Sequence, residues 1–215
     1  LATKIHTRRR FLYMKLAIVD YGMGNIKSIT STLNFLGIDD ILLTSNYDEL
    51  KYADKLILPG VGSFAKAMSK IIENKIDKKL FELVKINKKP LLGICLGMQL
   101  LCNSSTEEGL NKGLAFVNAN VTKFKESNIK IPHVGFNQVI ANPNSKLFQN
   151  IGYGSDFYFT HSYKVTSEEN LNQSKCIYGQ NFIAAFEIEN IYATQFHPEL
   201  SQNNGLKLLE NFLNN

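Results

Sequence analysis

The 215-residue sequence has no tryptophan, five prolines and three cysteines. No two of the cysteines are spaced as a C-x-x-C pair. This cysteine usage argues against a disulfide scaffold or a zinc site and fits a reducing cytoplasm. No stretch reaches the ~18 consecutive apolar residues that a transmembrane helix needs. Hydrophobic residues still make up 44% of the chain, enough for a substantial core. We therefore expect one cytoplasmic α/β domain with no membrane segment, no metal and no cofactor.

The net charge of +5 is concentrated at the amino terminus. Residues 1–13 carry four basic residues and no acidic one, whereas residues 14–215 hold 20 basic against 19 acidic residues. Because residues 14–215 are nearly neutral, they lack the excess of basic side chains that binds nucleic-acid phosphates. We therefore expect no nucleic-acid partner. Met14 directly precedes an apolar run. We expect residues 1–13 to be an extension outside the fold, of upstream or organellar-transit origin, and residues 14–215 to form the domain.

The first half alternates short apolar runs with segments of helical periodicity. Strands are predicted at 15–21, 41–44, 55–58 and 91–94, which indicates a parallel sheet with helices on both faces. After residue 117, strand-like segments separated by Gly, Asn and Ser turns predict added antiparallel strands. One of these spans 156–165, and a helix at 205–213 closes the chain. The fold class is therefore α/β, a single-domain open mixed sheet that is mostly parallel in its first half.

Residues 91–99 place a cysteine at a sharp turn. The pattern Gly93-Ile-Cys-Leu-Gly97 has the form of a nucleophile elbow, in which a strand, a tight turn with the nucleophile and a helix follow one another. The helix is predicted to reach about Asn103, and its positive end would favour the Cys95 thiolate. A buried, inert core cysteine is the alternative.

Two further segments could complete a reaction centre at the carboxyl ends of the strands. The turn Pro59-Gly-Val-Gly62 can present backbone N–H groups to an oxyanion, although an ordinary βα loop has the same composition. In Gln195-Phe-His-Pro-Glu199, His197 and Glu199 lie two apart and leave an extended backbone on one side. With Cys95 they predict a nucleophile, base and orienting carboxylate.

These motifs resemble those of the class I, or triad, glutamine amidotransferases. Three further motifs resemble the glutaminase subunits of imidazole glycerol phosphate synthases: Asp20-Tyr-Gly-Met-Gly-Asn25, Pro132-His-Val-Gly-Phe-Asn137 and Tyr158-Phe-Thr-His-Ser-Tyr163. The resemblance covers the chain from Met14 to its end and implies the amidotransferase fold.

The resemblance also implies a reaction. Cys95 attacks the side-chain amide of L-glutamine, His197 protonates the departing ammonia, and water then hydrolyses the thioester. The oxyanion hole is expected from Leu96 N–H and a peptide N–H at Val61 or Gly62. The family pattern also implies the residues that hold glutamine, namely Gly62, Gln99, His161, Ser162 and Tyr163.

The implied partner is a (β/α)8-barrel synthase subunit that receives the ammonia in a heterodimer. Phe136, where the family usually has Trp, and Asn137 are expected at the partner interface or gate. We place the coupling to the partner at the Pro59–Gly62 turn, where a peptide flip would complete or dismantle the oxyanion hole. Three alternatives stay open: a related subunit that feeds amidino-sugar formation, an inactive scaffold, and a cysteine peptidase or other thiol hydrolase. Cys102 is expected in the core, and His133 is expected to be a structural or interface residue rather than a catalyst.

Overall fold

The computed structural model describes residues 11, 13–125 and 129–215. The strands in these ranges are β1 (Lys15–Val19), β2 (Asp40–Thr44), β3 (Lys55–Leu58), β4 (Leu91–Ile94), β5 (Ser104–Ser105), β6 (Asn111–Lys112), β7 (Asn120–Lys123), β8 (His133–Ile140), β9 (Ser155–His161), β10 (Tyr163–Thr166), β11 (Ser174–Tyr178), β12 (Gln180–Ile188) and β13 (Ile191–Thr194). The helices are α1 (Ile26–Phe35), α2 (Tyr47–Tyr52), α3 (Phe64–Glu73), α4 (Ile76–Leu80), a π-helical turn (Phe81–Ile86), α5 (Leu96–Leu100), a 3-10 turn (Pro198–Leu200) and α6 (Gln202–Asn214).

The sheet is parallel at its centre and antiparallel beyond it. Strands β2, β1, β3, β4 and β13 lie side by side in that order and are all parallel. Strand β12 then pairs antiparallel with β13 and branches into two arms. One arm continues through β10 and β7, and the other through β11, β8 and β9. This arrangement confirms the predicted open mixed sheet.

Alternate side chains of the central strands pack into two cores, one on each face of the sheet. In β3, Leu56 and Leu58 enter the first core and Ile57 enters the second. The first core is closed by α3 and the second by α1 and α6. Helices therefore cover both faces, as predicted, and the carboxyl ends of β3, β4 and β13 meet at one edge.

Several predicted boundaries were wrong. Strand β1 ends at Val19, because the Asp20 carboxylate accepts the Gly22 N–H and turns the chain. Helix α5 ends at Leu100 rather than near Asn103. The carbonyls of residues 100–102 accept N–H groups from residues 114–117, so the loop replaces the next helical turn. The single strand predicted over 156–165 is two strands, β9 and β10, separated at Ser162.

Most of the segment 1–13 lies outside the described residues. Phe11 is described and is only 3% exposed, because it packs into the second core, and its carbonyl accepts the Met14 N–H. The fold therefore includes contacts from Phe11, upstream of the expected boundary at Met14.

No helix in the described residues is long and apolar enough to cross a membrane. No group of three or more His, Cys, Asp or Glu side chains there could hold a metal ion.

Candidate active site

Cys95 stands at a strained turn between β4 and α5. Its φ of 55° and ψ of −109° are a conformation that a residue with a Cβ rarely adopts. The turn is fixed by a 2.7 Å hydrogen bond from Cys95 N–H to the Thr194 carbonyl of β13. A Cβ on Gly97 would lie 1.8 Å from the Leu58 carbonyl oxygen, so only glycine lets α5 approach β3 this closely. The elbow predicted from the two glycines is thus present.

His197 and Glu199 form a buried pair beside the cysteine. His197 Nδ1 lies 2.8 Å from Glu199 Oε1, and the two side chains are 3% and 0% exposed. The backbone is held by His197 N–H, which donates to the Tyr158 carbonyl, and by Ser201, whose hydroxyl donates to the His197 carbonyl. The other ring nitrogen, Nε2, is buried and makes no hydrogen bond to the described part of the chain. It is therefore available for proton transfer at the cavity.

The charges around His197 favour its protonated form. Burial disfavours the imidazolium, but a Cys95 thiolate and the Glu199 carboxylate together outweigh it and raise the pKa of His197 to about 10. A thiolate and imidazolium pair is the form in which a cysteine acts as a nucleophile.

A cavity of about 300 Å³ opens over these side chains. Its lining comes from the predicted site together with three residues that sequence reasoning missed: Val61, Gly62, Cys95, Leu96, Gln99, Glu107, Pro132, Thr160, His161, Ser162, Tyr163 and His197. The structure thus brings every predicted triad, oxyanion and glutamine-binding residue to one cavity except Glu199, which lies behind His197.

The predicted oxyanion turn forms one wall of the cavity. Val61 and Gly62 are exposed there, and Gly62 has a φ of 97°, which favours glycine. The Tyr21 hydroxyl donates a 2.7 Å hydrogen bond to the Pro59 carbonyl and so fixes the start of the turn. Burial and the charge of Cys95 raise the pKa of Tyr21, which keeps this hydroxyl protonated.

The far wall of the cavity is built around the Tyr163 carbonyl. This oxygen accepts a hydrogen bond from Gln99 Nε2 at 3.1 Å and lies 2.7 Å from His161 Nδ1. His161 Nε2 lies 3.0 Å from His133 Nδ1. Burial lowers the pKa of His161 to about 3 and that of His133 to about 4, so both rings are neutral. His133 is buried, and its ring is stacked on Phe159 and Tyr178.

Three groups that the sequence did not reveal lie at the cavity or next to Cys95: the Glu107 carboxylate, the Thr160 carbonyl and the buried Gln195 side chain. Glu107 follows the two-residue strand β5, and its carboxylate accepts the Phe64 N–H. The Thr160 carbonyl lies 3.8 Å from Cys95 Sγ. Gln195 lies within a recognised motif but had no assigned role, and its Nε2 lies 3.8 Å from Sγ. The only signal in the sequence for Gln195 is its place in this motif, two residues before His197.

The two residues predicted at the partner interface lie outside the cavity. Phe136 is 50% exposed on the outer face of β8, where its ring contacts Tyr158. Asn137 donates a hydrogen bond to the Ile177 carbonyl of β11. Cys102 is fully buried in the core, as predicted.

Comparison with known proteins agrees with the motifs over nearly the whole chain. The family model described as "Glutamine amidotransferase class-I" matches residues 17–215. Imidazole glycerol phosphate synthase subunit HisH 1 of Campylobacter jejuni (strain 81-176) is 45% identical over 198 residues, which is 92% of this chain and 98% of that protein. Subunit HisH 2 of Methanococcus maripaludis is 48% identical over 200 residues, with the same two coverages.

Solved structures share the fold at lower identity. A putative GMP synthase protein from Thermoplasma acidophilum aligns with a TM-score of 0.69 and 21% identity, over 94% of this chain and 92% of that one. The structure of PurLQS from Thermotoga maritima aligns with a TM-score of 0.69 and 17% identity, over 94% and 98%.

Proposed function

The chain belongs to the class I glutamine amidotransferase family, and from this premise we propose that it is the glutaminase subunit of an imidazole glycerol phosphate synthase in histidine biosynthesis. The observation that carries the proposal is the buried set of Cys95, His197 and Glu199 at a cavity of about 300 Å³. Relatives of that name match this chain over 92% of its length. The same relatives favour this role over the amidino-sugar alternative.

The first half of the reaction forms a thioester and releases ammonia. The Cys95 thiolate attacks the γ-carboxamide carbon of glutamine, and the carbonyl oxygen becomes an oxyanion. The C–N bond then breaks, and the imidazolium of His197 gives its Nε2 proton to the departing nitrogen, which leaves as ammonia. Glu199 orients the ring through Nδ1 and stabilises its positive charge.

The second half regenerates the enzyme. Neutral His197 takes a proton from a water molecule, and the hydroxide attacks the γ-glutamyl thioester. The C–S bond breaks, glutamate leaves, and Cys95 returns to its thiolate beside the imidazolium. One water is consumed, and one glutamate and one ammonia are produced.

Backbone groups at the elbow and the turn stabilise the oxyanion. We assign one donor to Leu96 N–H, directly after the nucleophile, and the second to a peptide N–H at Val61 or Gly62, both of which line the cavity. Removing one such donor costs roughly 3–4 kcal/mol of barrier. A peptide flip in the Pro59–Gly62 turn is therefore an effective point of control by the partner.

The remaining cavity residues hold the amino-acid end of glutamine. Both hydrogens of Gln99 Nε2 are engaged by protein acceptors, so its Oε1 is the atom left for the substrate. Glu107 brings a carboxylate to the cavity lining and is the natural counter-charge for the α-ammonium group. The Ser162 and Tyr163 segment and Gly62 supply backbone groups to the α-carboxylate.

The ammonia acceptor lies on a second chain, for which we propose a (β/α)8-barrel synthase subunit in a heterodimer. The outer face of β8 and β9 presents exposed Val134 and Phe136 beside the half-buried Tyr158. Apolar patches of this kind mark protein–protein interfaces. Thr160 and Pro132, at the ends of these strands nearest the cavity, join the patch to the active site.

We place the protein in the cytoplasm and take residues 14–215 as its catalytic domain. All three cysteines are free and buried, as expected in a reducing compartment. The family model begins close to the proposed boundary, at residue 17.

The proposal is tested by measuring glutamate release from glutamine with and without the synthase subunit from the same genome. The pair should hydrolyse glutamine faster than the chain alone and should convert the ammonia into imidazole glycerol phosphate. Cys95→Ala should abolish both activities, while Cys102→Ala, which removes another buried thiol, should retain them. Hydrolysis that survives Cys95→Ala, or a complex that makes no imidazole glycerol phosphate, would overturn the proposal.

A further inference from the structure

Gln195 is a fully buried amide that connects Gln99 and Cys95, both of which line the cavity. It directly follows β13, and its N–H donates a 2.8 Å hydrogen bond to the Ala184 carbonyl of β12. Its side-chain Oε1 accepts a hydrogen bond from Gln99 Nε2 at 2.9 Å. Its Nε2 lies 3.8 Å from Cys95 Sγ, within hydrogen-bonding range of a sulfur acceptor.

The neighbouring groups fix which end of this amide faces the cysteine. The Tyr163 carbonyl can only accept, so Gln99 must direct its nitrogen to that side. The second hydrogen of the same nitrogen then requires an acceptor, which is Gln195 Oε1. Gln195 must therefore direct its N–H toward Cys95 Sγ. The orientation follows from the donors and acceptors alone.

We propose that Gln195 is a positioning residue that donates a hydrogen bond to the Cys95 thiolate and ties it to Gln99 in the substrate cavity. The effect on catalysis rests on the proposed glutaminase function. The hydrogen bond to Cys95 does not, because it forms whether or not glutamine is the substrate.

The surroundings of Sγ explain why such a donor matters. A neutral thiol can donate to the Thr160 carbonyl, 3.8 Å away, whereas a thiolate has no proton to donate and is repelled by that oxygen. Gln195 N–H has the opposite preference, because a donor binds an anion more strongly than a neutral acceptor. Burial strengthens both effects. Gln195 thus favours the thiolate and draws Sγ away from Thr160.

The connection to Gln99 gives the residue a second role. Gln99 Oε1 faces the substrate, while its nitrogen holds Gln195 in place through one hydrogen bond. A substrate contact at Gln99 therefore reaches the nucleophile through two hydrogen bonds and a single intervening side chain. This arrangement aligns the thiolate most firmly when glutamine is bound.

Two substitutions separate these roles. Gln195→Met removes both hydrogen bonds at similar volume. Gln195→Glu keeps an acceptor for Gln99 and removes the donor to Cys95. Alkylation of Cys95 by iodoacetamide, followed by peptide mass spectrometry across a pH range, reports the thiolate without any glutamine present. Glutaminase kcat and KM are measured in the complex with the synthase subunit.

For Gln195→Met we expect alkylation of Cys95 to slow about tenfold on the acidic side of its pH profile, where the fraction of thiolate limits the rate. This is the effect of losing one hydrogen bond to a charged group. We also expect kcat to fall and KM to rise. For Gln195→Glu, alkylation and kcat should fall at least as far, with KM close to wild type. Asn211→Leu, which removes a buried side-chain hydrogen bond to the Leu147 carbonyl outside the cavity, should leave the alkylation rate unchanged.

Alkylation at the wild-type rate and pH profile in both folded Gln195 variants would overturn the inference. If Gln195→Met does not fold, Gln195→Glu decides, because it preserves the contact with Gln99. Failure of the proposed function has a different result: the wild-type complex would not hydrolyse glutamine, yet Cys95 alkylation would still depend on Gln195.

Discussion

Glu199 holds His197 through a 2.8 Å contact between Oε1 and Nδ1, with both side chains withdrawn from solvent. The contact fixes the ring so that Nε2 is the nitrogen that transfers protons. Since it also stabilises the imidazolium, both halves of the proposed reaction depend on it.

Replacing Glu199 with Gln should lower glutaminase kcat by about 10³–10⁴-fold, because the ring loses its counter-charge and its fixed tautomer. Steady-state rates in the complex with the synthase subunit measure this loss. Glu189→Gln removes an exposed carboxylate paired with Lys88 and serves as the control, with kcat unchanged. A Glu199→Gln enzyme of nearly normal kcat would remove this carboxylate from the mechanism.

The His197 imidazole should stay protonated through neutral pH and lose its proton near pH 10. Because this pKa lies above the unfolded value of about 6.5, the pair stabilises the fold fully below pH 6.5 and progressively less as the pH rises toward 10. NMR titration of labelled histidine measures the midpoint directly. Cys95→Ala should lower it, since one of the two anions is lost. A wild-type midpoint near 6.5 would show that the pair is not ionised.

His133 and His161 should make the fold acid-sensitive. Burial lowers both pKa values, to about 4 and about 3, so between those values and pH 6.5 the unfolded chain binds protons that the folded chain excludes. Stability therefore falls as the pH drops below 6.5, by up to about 1.4 kcal/mol per pH unit for each histidine. Urea unfolding at pH 7, 6 and 5 measures the slope. His133→Phe, which retains an aromatic ring, should flatten it. Equal slopes in the two proteins would contradict the assignment.

Gly97→Ala should destabilise the chain by about 3 kcal/mol or more, because the new Cβ would lie 1.8 Å from the Leu58 carbonyl oxygen and force α5 away from β3. Thermal or urea unfolding tests this. At Gly152 a Cβ would meet only Ser155 Oγ, at 3.6 Å. Gly152→Ala should therefore change stability by less than about 1 kcal/mol. Similar effects at the two positions would show that the elbow tolerates a side chain.

Tyr21→Phe should cost about 1–3 kcal/mol of stability, because the buried Pro59 carbonyl loses its donor. The same change should lower glutaminase kcat, since the oxyanion turn begins at that carbonyl. Unfolding free energy and kcat are measured together. Tyr153→Phe, at a residue that is 85% exposed, is the control for both. A normal kcat in a destabilised Tyr21→Phe enzyme would show that the oxyanion turn does not depend on the Tyr21 hydroxyl.

The sequence predicted the elements whose signals are local and repeated. Residues 91–94 form a continuous apolar run bounded by turn residues, and the segment 205–213 is long enough to show the helical period. Helix α2 was missed because its six residues span fewer than two turns, although Asn46 accepts N–H bonds from Asp48 and Glu49 as an N-cap does. Strands β5 and β6, of two residues each, have no period at all.

The site residues that lie in short sequence motifs could be predicted from the sequence. Cys95, His197 and Glu199 lie in short patterns whose chemistry requires those residue types. The contacts of Thr160 and Gln195 with Cys95 join residues 65 and 100 positions apart and depend on how β9 and β13 pass the elbow. No sequence pattern encodes such a distance, so these contacts became visible only in the folded chain.

Capture of the covalent intermediate tests the role of Cys95 as the nucleophile most directly. The complex with the synthase subunit is acid-quenched while it hydrolyses glutamine, and its peptides are analysed by mass spectrometry. We expect a γ-glutamyl group on the peptide that carries Cys95, and none on those that carry Cys102 or Cys176. Sustained glutamine hydrolysis with Cys95 unmodified, or with the acyl group on another residue, would contradict this role.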